Sequence, residues 1–276
     1  MSVQRDREGT SSTNLVSPGI SAISGVLRTR RLIIIEITVV LAVSLGRSAV
    51  YSMISLLEAA TAPGPLAGQA ATLNTSIAPD RPWFDLVYQL LRIGFALAPV
   101  ALVAYLLVMA GTSPRAVWFG RGRRGRDVAR GAVVAAGVGS VGLAFYLITH
   151  ALGLDLTVVP DSLNNVWWHY PVLVLSALQN AVLEECVVIG FVLLKLRELG
   201  LRDRTAIGLA AVLRGSYHLY QGFGGFAGNL VMGLLFGYLY RRWGRITPLI
   251  VTHTLLDVGA FVGYALLVGR VSWIPV

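Results

Sequence analysis

Residues 171–194 read PVLVLSALQNAVLEECVVIGFVLL, and the only charged residues among them are Glu184 and Glu185. As a helix at ~1.5 Å per residue this stretch reaches ~36 Å, more than the ~30 Å hydrocarbon core of a bilayer. It therefore reads as a membrane-crossing helix with a carboxylate pair in its middle. The rest of the chain agrees. Its 276 residues are 55% hydrophobic and 13% charged, about half the ~25% charge of a soluble domain. That composition excludes a disordered chain and argues against a soluble globular enzyme. The single cysteine, Cys186, excludes a disulfide framework and any CxxC site.

Working outward, seven apolar segments are expected, at 32–57, 84–110, 128–152, 171–194, 205–221, 224–240 and 246–268. Residues 1–31 form a polar tail, expected to be disordered and cytoplasmic, and 269–276 a short C-terminal tail. The fifth and sixth segments are short and joined by Gly222-Phe-Gly-Gly225. The basic residues of the tail, the successive loops and the C-terminal end number 5, 1, 5, 0, 4, 0, 3 and 1. This alternation is the positive-inside pattern with the N-terminus cytoplasmic, provided the 222–225 break is an outside turn. The net charge of +9 then records orientation, and no nucleic-acid partner is expected. The loop Arg121-Gly-Arg-Arg-Gly-Arg126 is placed to meet anionic headgroups. Lys195 is the only lysine among 23 basic residues, a bias that points to a GC-rich, bacterial source and a plasma-membrane location.

A charge near the bilayer centre costs about 3 kcal/mol on insertion scales, so it is usually paired or functional. Glu36 and Arg47 are eleven residues apart, about three turns of one helix, and are read as one inward face. Arg92 is expected to pair internally. His169, beside Trp167, Trp168 and Tyr170, reads as part of an interfacial aromatic belt. Small residues at Gly224, Gly228, Gly233 and Gly237 read as a helix-packing face.

Glu184 and Glu185 stand apart from these. Two adjacent carboxylates without a cation do not easily both ionise, and a pair sharing a proton suits acid–base chemistry. Arg214 and His218 follow in the fifth segment, and His253 and Asp257 share a face of the seventh. Counted from the nearest basic loop, Glu184, His218, His253 and Asp257 all fall ~12–21 Å deep. Three helices are thus expected to bring two Glu, two His and one Asp into one layer.

At these positions the chain resembles the CPBP family of intramembrane proteases, which includes type II CAAX prenyl proteases, Abi proteins and bacteriocin self-immunity proteins. That family carries EExxxR, FxxxH and HxxxN or HxxxD on successive membrane helices. Here the motifs are Glu184-Glu185-Cys-Val-Val-Ile189, Arg214-Gly-Ser-Tyr-His218 and His253-Thr-Leu-Leu-Asp257, within a core over residues 165–268. Residues 32–164 supply the other helices. Two positions depart from the pattern: Ile189 replaces the arginine and Arg214 the phenylalanine. Arg214 is expected to supply from the fifth segment the missing cation.

The resemblance implies an all-α, polytopic membrane bundle of about seven helices acting as an endopeptidase. Glu184 would be the general base, Glu185 its assistant and His218 the residue that orients water. His253 and Asp257 would polarise the carbonyl and stabilise the oxyanion. It also leaves open a metal set of Glu184, His218 and His253, whose ligand types suit zinc, although no HExxH is present. The implied partner is a membrane-anchored or lipid-modified peptide or protein in the bilayer. The competing readings are a silent immunity or scaffold protein, a proton-coupled transporter, a serine protease using Ser216 with His253, and a Cys186 nucleophile.

Overall fold

The structure is a computed structural model and describes residues 30–120 and 124–275. The proposed tail therefore lies outside the described residues except for Arg30 and Arg31, as do Arg121–Arg123 of the basic loop. The chain is a helical bundle. Helices α1 (Arg30–Ala42) and α2 (Leu45–Thr61) are followed by α3 (Pro82–Ala96), α4 (Ala98–Met109), the short α5 (Pro114–Trp118) and α6 (Arg124–Ala151). Then come α7 (His169–Glu184), a π-helical stretch (Glu185–Leu193), α8 (Leu194–Glu198), α9 (Asp203–Ser216), α10 (Phe223–Trp243) and α11 (Thr247–Leu267).

Five stretches are long and apolar enough to cross a membrane: 82–109, 124–151, 169–198, 223–243 and 247–267. The α1–α2 pair makes a sixth if counted as one span, bent by 55°. The protein is a multi-pass membrane protein. Seven span-length helices are not found among the described residues. The expected fifth segment becomes α9, whose 14 residues reach ~21 Å, followed by a turn and a 3₁₀ stretch at Leu219–Gln221.

The bend in the first segment separates the residues expected on one face. Gly46 sits so close to α1 that a Cβ there would stand 2.7 Å from Leu41 Cβ, and the chain turns at Val43–Ser44. Glu36 stays with α1, 3.7 Å from Lys195 Nζ, whereas Arg47 goes with α2 into the wall of a cavity.

Ion pairs gather the basic loops at one end of the bundle. Asp203 is 2.8 Å from Arg197 Nε and 3.1 Å from Arg241 Nε. Asp127, buried at the start of α6, is 2.9 Å from Arg245 Nη2 at the α10–α11 turn. The opposite end carries a small addition to the all-α plan: strands β1 (Ala70–Thr72) and β2 (Thr157–Val159) pair in parallel. There His169 and Trp168 are buried, not members of an exposed belt. His169 Nε2 is 2.8 Å from Asp161 Oδ2, while Trp167 and Tyr170 remain exposed.

Packing positions the site. Helix α10 lies along α9, and α11 packs against both α6 and α7. The α9–α10 approach depends on glycine, since a Cβ on Gly233 would stand 2.8 Å from Ala211 Cα and one on Gly237 2.7 Å from Ile207 Cγ2. The π stretch is wholly buried. Its Gly190 meets Trp118, where a Cβ would lie 2.6 Å from the indole Nε1. π turns are rare and occur frequently at functional sites. This one begins at Glu185.

Candidate active site

Glu184 is the last residue of α7 and Glu185 the first of the π stretch, so the two carboxylates stand where the helical pitch changes. Arg214 comes from the last turn of α9, with Tyr217 and His218 just beyond its end. His253 and Asp257 share one face of α11. The structure brings all six residues expected from the sequence into one connected group.

The arginine holds the pair. Its Nη2 lies 3.3 Å from Glu184 Oε2 and donates a short hydrogen bond to Glu185 Oε1. Arg214 and Glu185 are both fully buried. The guanidinium also stacks over Phe236, 4.9 Å from the ring centroid, and its Nε donates to Tyr217 Oη at 3.3 Å. The expected shortage of a cation beside the glutamates is thus met by the very residue that departs from the motif. Ile189, where the motif has arginine, is packed in the apolar core.

The two glutamates differ in surroundings. Glu185 Oε1 also meets His253 Nδ1 at 2.9 Å, and its side chain faces inward, away from the cavity. Glu184 Oε2 accepts the Tyr217 hydroxyl at 2.7 Å and lies 4.0 Å from His253 Nε2. Its Oε1 has no protein partner among the described residues. Glu184 lines a cavity of about 1270 Å³ together with Tyr217, His218, His253 and Asp257.

Each histidine is oriented through one nitrogen. His253 has Nδ1 on Glu185, which leaves Nε2 3.6 Å from Asp257 Oδ1. A carboxylate behind one nitrogen fixes the ring and aims the other. His218 Nδ1 is 3.0 Å from the Arg214 carbonyl oxygen, and its ring lies 4.8 Å from that of Tyr217. Its Nε2 has no protein partner among the described residues.

Sequence reasoning missed two members. Tyr217 braces Glu184, and its place between Arg214 and His218 was the available signal. Asn180 Nδ2 lies 3.4 Å from Asp257 Oδ2 and lines the same cavity. It precedes Glu184 by four residues, the spacing of one helix face.

The candidate zinc set fares differently. Among the described residues no three His, Cys, Asp or Glu side chains are arranged to hold a metal ion. The guanidinium of Arg214 already lies against both glutamates, and Glu184 Oε2 is committed to Tyr217. Glu184, His218 and His253 do not fit a metal as they stand. The alternative nucleophiles are also engaged elsewhere: Ser216 donates back to the Val212 carbonyl at 2.8 Å, and Cys186 is buried in the apolar core.

Residues 165–259 match the family model of the Rce1-like type II CAAX prenyl endopeptidases. The matched segment holds all three motifs and every member of the cluster, which shows for this part of the chain the family that the motifs resemble. No curated protein and no solved structure matches the chain.

Proposed function

We propose that the protein is an intramembrane endopeptidase of the CAAX type, hydrolysing a peptide bond in a membrane-anchored, lipid-modified substrate. The observation that carries this reading is Glu184: a carboxylate braced on one oxygen by Arg214 and Tyr217, with the other oxygen open to a cavity shared by two histidines.

In this reading a water beside Glu184 Oε1 attacks the scissile carbonyl carbon and gives a proton to Glu184. His218 orients that water. His253, held through Nδ1 by Glu185, presents Nε2–H to the developing oxyanion, where a fixed donor contributes most in a site that excludes bulk water. When the C–N bond breaks, the amine leaves with the proton that Glu184 had taken. Arg214 pairs with Glu184 and with Glu185, which in turn meets His253. The arginine-rich end of the bundle faces the cytoplasm by the positive-inside rule, and the cavity extends from Glu184 toward the strand-bearing end, where Thr72–Thr75 and Val158 join its wall.

Support comes from the family match over residues 165–259 and from the convergence of three helices on one cavity. The test is mass spectrometry of farnesylated peptides incubated with the purified protein in liposomes. The reading expects a new C-terminus close to the lipidated cysteine. Intact peptides across a panel of C-terminal sequences would count against it.

A further inference from the structure

The cavity faced by Glu184 has two more charged residues in its wall, Arg47 of α2 and Arg92 of α3. Neither belongs to the cluster around the glutamates. Arg47 is exposed and has no ion-pair or hydrogen-bond partner among the described residues. Arg92 reaches only uncharged acceptors, the Thr75 carbonyl and Gln89 Oε1, each at 3.5 Å.

Both are exposed side chains that fall within the apolar stretches 32–57 and 84–110. Arg92 is ten residues into α3 from Pro82, ~15 Å along its axis. Arg47 is five residues before Ser52, whose hydroxyl donates to the Tyr217 carbonyl at 2.9 Å beside the site. Cations at such depth are costly and typically line a cavity or meet an anion. Among the described residues the only acids lining this cavity are Glu184 and Asp257. Both are engaged, Glu184 with Arg214 and Tyr217, Asp257 with Asn180 and His253. The wall therefore holds two cations and no acid to balance them.

We propose that Arg47 and Arg92 bind a carboxylate of the substrate and so determine its specificity. The segment that enters this cavity bears a carboxylate, at its C-terminus or on a side chain, close to the bond presented to Glu184. Guanidinium is suited to this task because its planar fork of donors matches a carboxylate. Naming the occupant as substrate rests on the hydrolase reading; binding of the carboxylate is tested without hydrolysis.

The experiment uses full-length Glu184→Gln protein in neutral phosphatidylcholine nanodiscs and three fluorescent palmitoylated pentapeptides. One has a free C-terminus, one is its C-terminal amide, and one is the amide with an internal aspartate. Fluorescence anisotropy reads their affinities. Binding about tenfold or more tighter for either carboxylate peptide over the plain amide is expected, the worth of one charge-assisted hydrogen bond. The peptide that shows the preference tells a terminal from a side-chain carboxylate. In the Arg47→Gln/Arg92→Gln background the preference should vanish while the amide binds as before, which also shows that the cavity is intact. Equal binding of all three peptides, binding of none, or a preference that survives the double substitution would each overturn the proposal. Because no bond is cleaved, these outcomes are separate from failure of the hydrolase reading.

Discussion

Arg214 donates through Nη2 to Glu185 Oε1, and neither side chain reaches solvent. A buried ion pair contributes little net stability, yet removing one partner leaves an unpaired charge, at a cost of about 3–5 kcal/mol. Arg214→Ala should therefore abolish cleavage and lower the thermal midpoint together. Activity and stability separate in a second variant. Arg214→Phe with Ile189→Arg returns the arginine to the position four residues after Glu185, as in the EExxxR and FxxxH pattern. Cleavage measured in liposomes should be absent in Arg214→Phe and return in the double variant. Wild-type rates in Arg214→Ala would show that the guanidinium is dispensable.

Tyr217 Oη donates to Glu184 Oε2 at 2.7 Å. Tyr217→Phe removes that bond and keeps the ring against His218. A hydrogen bond to a charged group is worth about 1.5–3 kcal/mol, so kcat should fall about ten- to a hundredfold with the fold retained. An unchanged kcat would remove Tyr217 from the account.

Asp155 clamps the turn that follows His218. Its Oδ1 accepts the Gly225 N–H at 3.1 Å and its Oδ2 the Thr149 hydroxyl. The flanking backbone adds Leu156 N–H to Gln221 O at 2.9 Å and Phe223 N–H to Leu154 O at 3.0 Å. Gly222 has φ +115° and lies against Asp155, with no room for a side chain. Asp155→Ala removes the acceptor of the half-buried Gly225 N–H, at about 1–3 kcal/mol, while Thr149 keeps the Phe145 and Tyr146 carbonyls. Differential scanning fluorimetry should show a lower midpoint, and cleavage should drop because His218 loses its support.

Among the described residues no three His, Cys, Asp or Glu side chains are arranged to hold a metal ion. Cleavage should persist after prolonged treatment with EDTA and 1,10-phenanthroline, with no zinc retained by elemental analysis. Loss of activity on chelation and its return with zinc would require the cluster to rearrange around the ion.

Much of the site was legible because its residues are anomalous where they stand. Glu184, Glu185, His218, His253 and Asp257 are costly at membrane depth, and counting residues from the basic loops placed them in one layer. The helical class was legible from apolar length, and the gathering of basic loops from their alternating charge. Helix bending was not. Nothing in the run 32–57 marks the 55° turn except the small Gly46, so spacing alone puts Glu36 and Arg47 on one face. Span counting failed at residues 205–221, where apolar composition does not reveal that α9 ends at Ser216. The burial of His169 is not legible, because proximity to tryptophans in sequence says nothing of its partner Asp161, eight residues away in a folded loop. Tyr217 and Asn180 are ordinary residues by composition, and only their contacts distinguish them.

The most direct test of the central claim, that Glu184 activates the attacking water, is the single-turnover cleavage rate of Glu184→Gln protein beside wild type in the same liposomes. Glutamine keeps the shape and cannot take the proton. The rate should fall by about 10²–10⁴-fold, the range for loss of a general base, with an unchanged thermal midpoint. Cleavage at the wild-type rate would contradict the account.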